Sequence, residues 1–443
     1  MATMQAVRAV ASRAGLGRST AQGGGRHEPL RRSFDSPAFQ MTWVTLKRMR
    51  LHQLYIARRE HYAAEAERRG LVYRRDRVAS MVQDHLARRG YSPTRRRPGD
   101  VHTFAFIPRV GGNPTLYPDL HHLGPVTEFD YTTLGCTMAN LRAITDQAAE
   151  RRAYINARML AALRQAHERR PVDWLFAYGN GYEIEARTVR QIVDELGIPV
   201  VNMCLDDKQS WTGPRSGGQR VNQVDLVPVF DLSWTSARVA CEWYLVEGGR
   251  PVYLPEGFDA QMYHPLDGLE RDIPVSFVGS GYGYRPAVVR HIEQYGLEVR
   301  TFGPGWPSGW TGVDEQVRIF NRSIVNLGMG GVGFSEHLTN VKTRDFEVPG
   351  TGGGAYLTRF NPDLALHFDI GEEILCYSTR EEAVELIRHC LARPDEAAEI
   401  GRRGRARCMS EHRWLHRYLE LLGVLGVLDA DAAMVAPPLT ESQ

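Results

Sequence analysis

Apolar positions follow one rhythm over the first hundred residues and another thereafter. Residues 41–69 carry Leu46, Leu51, Leu54 and Tyr55 in a loose stripe at helical spacing, and residues 77–89 pattern as a second helix. Residues 93–99, with three consecutive arginines, read as a linker. From Val101 onward short apolar runs alternate with helical stretches. Strands are expected over residues 103–107, 126–130, 172–178, 198–205, 231–234 and 252–254, with a long helix over 140–169 and another ending near Leu196. A second series opens at residues 275–279. It continues with strands over 297–302, 324–327 and 355–358 and helices over 379–391, 394–408 and 411–425. Strands separated by helices predict an α/β protein whose parallel sheets are covered on both faces. No internal repeat of solenoid period is present.

Composition narrows the class. The 443 residues suffice for two or three domains, and 43% hydrophobic with 24% charged residues is ordinary for a globular chain. No apolar run reaches the ~18 residues that a membrane span needs. The net charge of +2 conceals an asymmetry: the first hundred residues hold 21 basic against 8 acidic side chains, leaving the rest near −11. The basic part is compatible with peripheral contact with an anionic membrane surface, although a solvated basic segment is the commoner case; no nucleic-acid partner is expected. Residues 1–40, rich in Arg, Ala and Gly, lack the apolar core of a signal peptide and are expected to be disordered, as is a tail over 427–443. The six cysteines form no Cys-x-x-Cys pair, which argues against zinc and for buried thiols in a reducing, cytoplasmic setting.

Candidate chemistry clusters where strands should end. Gly111-Gly112, Gly179-Asn180, Asp206-Asp207 and Glu256-Gly257 all follow expected strands. Each pair alone is an ordinary turn former, but ligands of parallel sheets bind beyond the carboxyl ends of strands. Gly279-Ser280-Gly281-x-Gly283, followed by Arg285, suits a phosphate-facing loop between strand and helix, though it lacks a full dinucleotide fingerprint. A short helix expected from residues 338–340 onward would set Asn340, Arg344 and Glu347 on one face, at i, i+4 and i+7. Arginine suits phosphate and a carboxylate suits vicinal hydroxyls; the plainer alternative is a surface Arg344–Glu347 pair worth a few tenths of a kcal/mol. Pro349 and the glycines 350 and 352–354 should end that helix. They are a weaker phosphate cradle than the loop over 328–336, because anions prefer helix N-termini.

Arg344-Asp-Phe-Glu347-x-Pro-x-x-Gly-Gly, followed by Phe368-x-x-Gly-Glu-Glu-Ile-x-x-Tyr377, resembles the CgeB-type, spore-maturation-protein-like glycosyltransferases, which are similar to family 4-like enzymes of the GT-B fold. The resemblance covers about residues 100–425 and implies two Rossmann-like domains facing across a cleft. On this reading 41–99 is a helical extension, 100–264 an acceptor domain, 265–410 a nucleotide-sugar donor domain, and 411–426 a helix crossing back. Pro255-Glu256-Gly257-Phe-Asp259 and Tyr263-His-Pro265 resemble the GT-B hinge. Glu347 then matches the glutamate that binds the nucleotide ribose. The sugar-facing glutamate eight residues earlier falls at Thr339, which is not acidic, with Glu336 three residues before it. The resemblance implies sugar transfer from a nucleotide-sugar to an unidentified acceptor, with no further cofactor and no metal. Lys342, Arg344, Arg285 and a helix N-terminus would neutralise the leaving diphosphate. Gly279, Ser280 and Asn340 would bind nucleotide. Gly111, Gly112, Gly179, Asn180, Asp206, Asp207 and Glu256 would line the acceptor side. His121 and His122 are general-base candidates if the reaction inverts. Two alternatives keep the fold: a non-catalytic nucleotide-binding or interaction protein, and a sugar-nucleotide epimerase.

Overall fold

The computed structural model describes residues 37–332 and 335–428, with side chains from residue 49 onward. Two long helices come first, α1 (Pro37–Arg69) and α2 (Val78–Arg88). Residues 1–36, and with them most of the expected disordered leader, lie outside the described residues, as does the tail from 429; residues 37–40, however, are helical.

The first sheet contains β1 (Thr103–Phe106), β2 (Val126–Phe129), β3 (Trp174–Tyr178) and β4 (Val200–Cys204). After the small hairpin β5 (Arg215–Ser216) and β6 (Gln219–Arg220), it is completed by β7 (Leu232–Thr235) and β8 (Pro251–Tyr253). Its order is β2-β1-β3-β4-β7-β8, with every pair parallel. The helices between these strands are α3 (Tyr117–His121), α4 (Met138–Leu141), α5 (Asp146–Arg169), α6 (Ala186–Leu196) and α7 (Ala240–Val246). Alternate side chains feed different cores, as the period of two demands: Ala105 and Ile107 join Phe176, Met203 and Trp234 on one face, while Phe104 and Phe106 join Leu175, Ala177 and Val200 on the other. The single helix expected over 140–169 is in fact two, because Thr145 caps α5 by accepting from the Ala148 amide at 3.2 Å.

The second sheet holds β9 (Ile273–Val278), β10 (Val299–Phe302), β11 (Ser323–Leu327), β12 (Ala355–Arg359) and β13 (Leu375–Tyr377), in the parallel order β10-β9-β11-β12-β13. Around it pack α8 (Arg285–Gln294), α9 (Val313–Arg322), α10 (Arg344–Thr351), α11 (Arg380–Ala392) and α12 (Pro394–Glu411). The last helix, α13 (Trp414–Val424), leaves this domain and sets Leu415, Tyr418, Leu419 and Leu422 into the first domain's core beside Val82 and Leu86 of α2. The chain therefore crosses twice between the sheets. The crossings are tied by the Phe258 amide donating to the His412 carbonyl at 3.1 Å and the Trp414 amide donating to the Phe258 carbonyl at 3.2 Å. The buried Arg413–Asp119 pair at 2.9 Å holds the returning strand. Two parallel-sheet α/β domains with a C-terminal helix crossing back is the expected GT-B organisation. Val427 and Leu428, assigned to a disordered tail from sequence, are fully buried in the first core instead. Among the described residues no helix is long and apolar enough to cross a membrane.

Candidate functional site

Strand order reverses beside β1 in the first sheet and beside β9 in the second, and open parallel sheets bind ligands where that happens. A cavity of about 370 Å³ lies between the carboxyl ends of the two sheets. The first domain lines it with Gly111 and Gly112 after β1, Tyr178 ending β3, Asp206 after β4 and Glu256 after β8. The second lines it with Gly279 and Ser280 after β9, and with Lys342, Arg344 and Glu347 around the start of α10.

The short segment before α10 sets the geometry. Asn340 does not belong to the helix, contrary to expectation. Its backbone pairs with Gly330, the amide donating to that carbonyl at 3.0 Å, next to a bridge between Gly331 and Thr339. The helix thus begins only at Arg344. The Asn340 side chain turns away from the cavity and donates to Ser236 Oγ at 3.1 Å and to the Leu205 carbonyl at 3.3 Å. Pro349 does not end α10 either; the helix runs through it to Thr351 and stops at Gly352, whose φ of 75° is the left-handed turn that glycine favours. Gly353 and Gly354 serve close packing, not a phosphate: a Cβ on Gly354 would meet the Ile324 and Ser323 carbonyls at 2.2 Å.

Arg344 and Glu347 remain one turn apart on one face, with Arg344 Nη1 at 3.1 Å from Glu347 Oε2. This is no surface pair, since the Glu347 side chain is 6% exposed. The Arg344 guanidinium lies over the Phe320 ring at 5.2 Å, and Tyr263, whose hydroxyl is pushed up by burial and then by the Glu347 charge, closes the pair on the hinge side. Lys342 reaches across the cleft to Asp206 Oδ1 at 2.7 Å. Burial alone would weaken the ammonium, but the Asp206 and Glu256 carboxylates raise its pKa above the ordinary value. Glu256 accepts from the Thr343 amide at 2.7 Å and from the Thr343 hydroxyl, while its Oε1 is buried without a partner in the protein. Burial pushes this carboxyl up to about 7, against the pull of Lys342. Protein carboxylates therefore cap the start of α10, Asp345 taking the Lys342 amide at 2.7 Å and Glu256 that of Thr343. An entering anion would meet side-chain cations there rather than a bare helix end.

Other sequence candidates fall elsewhere. Arg285 donates to the Ser280 carbonyl at 3.0 Å and the Met329 carbonyl at 3.3 Å, so it pins the glycine loop and does not line the cavity. Asp207, next to Asp206, points into the core, where it accepts from Thr235 at 2.5 Å and Tyr244 at 2.8 Å. Consecutive residues leaving a strand face opposite ways, which splits this pair. Gly179 and Asn180 line a second, smaller cavity beside the first. His121 bonds Glu128 at 3.1 Å and His122 lies 3.5 Å from Gln261, both outside the cavities. Glu336 does not stand in for the acid missing at Thr339: Arg380 at 2.7 Å and Arg359 at 3.2 Å neutralise it away from the cavity. Sequence reasoning passed over Tyr178, Tyr263 and Trp310, which line the cavity, Trp310 with 68% exposure. Of these only Tyr263 lay in a recognised motif. Among the described residues no group of three His, Cys, Asp or Glu side chains is placed to hold a metal ion.

Residues 285–423 match a family model described as glycosyl transferase-like. The match begins at α8 and takes in Lys342, Arg344 and Glu347, but includes none of the first sheet. No curated protein matches the chain. Among solved structures, sucrose-phosphate synthase from Thermosynechococcus elongatus is 12% identical, with 77% of this chain and 90% of that one covered and a TM-score of 0.45. HepE of Anabaena in complex with UDP is 11% identical, with 74% and 100% covered and a TM-score of 0.47. A UDP-N-acetylglucosamine 2-epimerase is 13% identical, with 76% and 98% covered and a TM-score of 0.43. Likeness at that level says nothing of the site.

Proposed function

We propose that this protein is a glycosyltransferase of the CgeB type, moving a sugar from a nucleotide-sugar donor to an acceptor without a metal. The observation that carries the reading is the cation–carboxylate constellation at α10, Lys342, Arg344 and Glu347, within the segment that matches the glycosyl transferase-like model. Glu347 accepts from the ribose hydroxyls, as a buried carboxylate on a helix face is suited to do. Arg344 and Lys342 neutralise the diphosphate, and their effect is greatest as charge builds on the leaving group. Gly279 and Ser280 bring backbone close to the phosphates. On the first domain, Asp206, paired with Lys342 at 2.7 Å, and the buried Glu256 hold the cleft walls in register across Lys342. A cytoplasmic setting and peripheral contact of the basic N-terminal segment with anionic lipid belong to the same proposal.

A thermal-shift screen of nucleoside diphosphates and their sugars tests it, because a ligand of the native state raises stability by mass action. The expected result is a concentration-dependent rise with one base, lost in Glu347→Ala, together with slow hydrolysis of the matching sugar nucleotide. No rise with any nucleotide would reject the proposal. Binding without any turnover would favour the second reading, a nucleotide-binding protein that has lost its chemistry. That reading is supported by Thr339 standing where an acid is expected and by the neutralised Glu336.

A further inference from the structure

The start of α10 lies at the cleft, and its other end lies at a different cavity. This one has a volume of about 380 Å³ and shares no lining residue with the cleft cavity. It lies where the segment from Pro265 to Arg271, leading into the second sheet, meets Gly352 after α10 and Arg402 and Arg405 of α12. Among the described residues three arginines, Arg271, Arg402 and Arg405, line it against one acid, Asp267.

Part of this arrangement is ordinary capping. The last carbonyls of a helix have no partner within it, and that end carries partial negative charge. Arg405 Nη1 donates to the Gly350 carbonyl and to the Tyr263 carbonyl at 3.3 Å, and Arg271 Nη2 donates to the Gly353 carbonyl at 3.5 Å. Gly352 lets the Arg405 stem lie close, since a Cβ there would meet Arg405 Cδ at 2.7 Å.

Capping uses only Nη1 of Arg405. Its Nε and Nη2 have no partner among the described residues, and they are open to solvent rather than sealed in the core. These two N–H groups are parallel and form the edge of the fork that holds an oxyanion by two bonds. Elsewhere in the chain that edge is filled. Arg164 sets Nε and Nη2 at 2.9 and 2.7 Å from the Glu195 carboxylate, and Arg322 sets them at 2.8 and 2.6 Å from Asp272. No carboxylate among the described residues pairs with Arg405 or Arg271. Burial lowers the Arg405 pKa, as it does for a cation without a counter-ion. Arg402 pairs with Glu399 one turn away, but at 67% exposure that pair is worth little and yields to a stronger acceptor.

The number of forks selects the ligand. A carboxylate satisfies one guanidinium, whereas a phosphate dianion has oxygens for several. The volume falls within the ~300–1,000 Å³ of small-molecule pockets, so there is room beyond the phosphate, and Leu266 and Leu269 supply an apolar wall. We propose that Arg271, Arg402 and Arg405 form a binding site for the phosphate group of a small phosphomonoester. The site is separate from the cleft and does not depend on a nucleotide binding there.

The full chain is titrated with glucose 6-phosphate and with inorganic phosphate, followed by phosphorus NMR, and the melting temperature of each variant is recorded. Both should bind the wild type, the ester more tightly because it alone extends beyond the arginines. Arg271→Glu should weaken binding about tenfold at unchanged melting temperature, because Arg271 is exposed and makes one long contact. Arg405→Lys should weaken it at least as much, since a point charge lacks the two-bond edge. Arg402→Glu, on the exposed face of α12, stands in should Arg405→Lys fail to fold. Arg344→Ala, in the cleft, should leave this binding in place. Binding lost in Arg344→Ala but kept in Arg271→Glu would move the phosphate to the cleft and overturn the site, as would a wild type that binds neither probe. Inorganic phosphate held as tightly as the ester would overturn the phosphomonoester as the ligand.

Discussion

The two walls of the cleft are built by the same kind of sheet and are chemically opposite. The second domain brings its charged groups from one stretch of six residues, Lys342 to Glu347, at the start of α10. The first brings Gly111, Tyr178, Asp206 and Glu256 from four strand ends far apart in the chain. One wall offers cations with a paired carboxylate, the other Asp206, which pairs with Lys342, and Glu256, which accepts from Thr343. The family match takes in Lys342, Arg344 and Glu347 but none of Gly111, Tyr178, Asp206 and Glu256.

The largest effect is expected at Arg344. If this wall stabilises the leaving diphosphate, Arg344→Ala should lower turnover by about 100-fold, and Arg344→Lys should restore only part, lacking the two-pronged fork. Measuring turnover and melting temperature on one sample separates this from a structural pair: a destabilised mutant with full activity would reassign Arg344 to holding Glu347. Next is Glu347→Ala, expected to weaken nucleotide binding by about 1.5–3 kcal/mol, read by calorimetry; unchanged affinity in a folded protein removes the ribose assignment. Lys342→Ala should cost less turnover than Arg344→Ala, because its ammonium is shared with Asp206 at 2.7 Å. It should also loosen the cleft, which small-angle scattering of the ligand-free protein would register as expansion. An unchanged scattering profile would make the Lys342–Asp206 contact incidental to closure.

The smallest effect is expected on the opposite wall. Burial raises the Glu256 carboxyl from about 4.5 to about 7. A carboxyl whose folded value is raised favours the folded state below its unfolded value, and that contribution is lost as pH rises through the folded one. Wild-type stability should therefore fall between about pH 4.5 and 7. Glu256→Gln should flatten this decline in melting temperature without abolishing it, because Glu183 is raised to about 7 by burial in the same way. An identical pH profile in the mutant would mean that Glu256 stays ionised beside Lys342.

Much of the architecture was legible because strand and helix periods are local. The alternation of residues 103–107 placed Phe104 and Phe106 opposite Ala105 and Ile107, and the two cores divide along that line. Val341 and Val348 were expected to face a core and are buried. Boundaries failed where a cap or a distant contact overrode the period. Thr145 split one helix into two. Pairing with Gly330 and Gly331 pulled Asn340 out of another. Packing under α13 ordered Val427 and Leu428.

The class of sheet and the Arg344–Glu347 pair could be read from the chain alone, because each rests on spacing within a few turns. Long-range contacts alone set Asp206 at the cleft and Asp207 in the core, made Arg285 pin a loop, stretched Lys342 between two domains and buried Glu183 with one oxygen unpaired. Those outcomes depend on which strand ends the parallel order brings together, and on how far burial raises the cost of a charge; neither is a property of neighbouring residues.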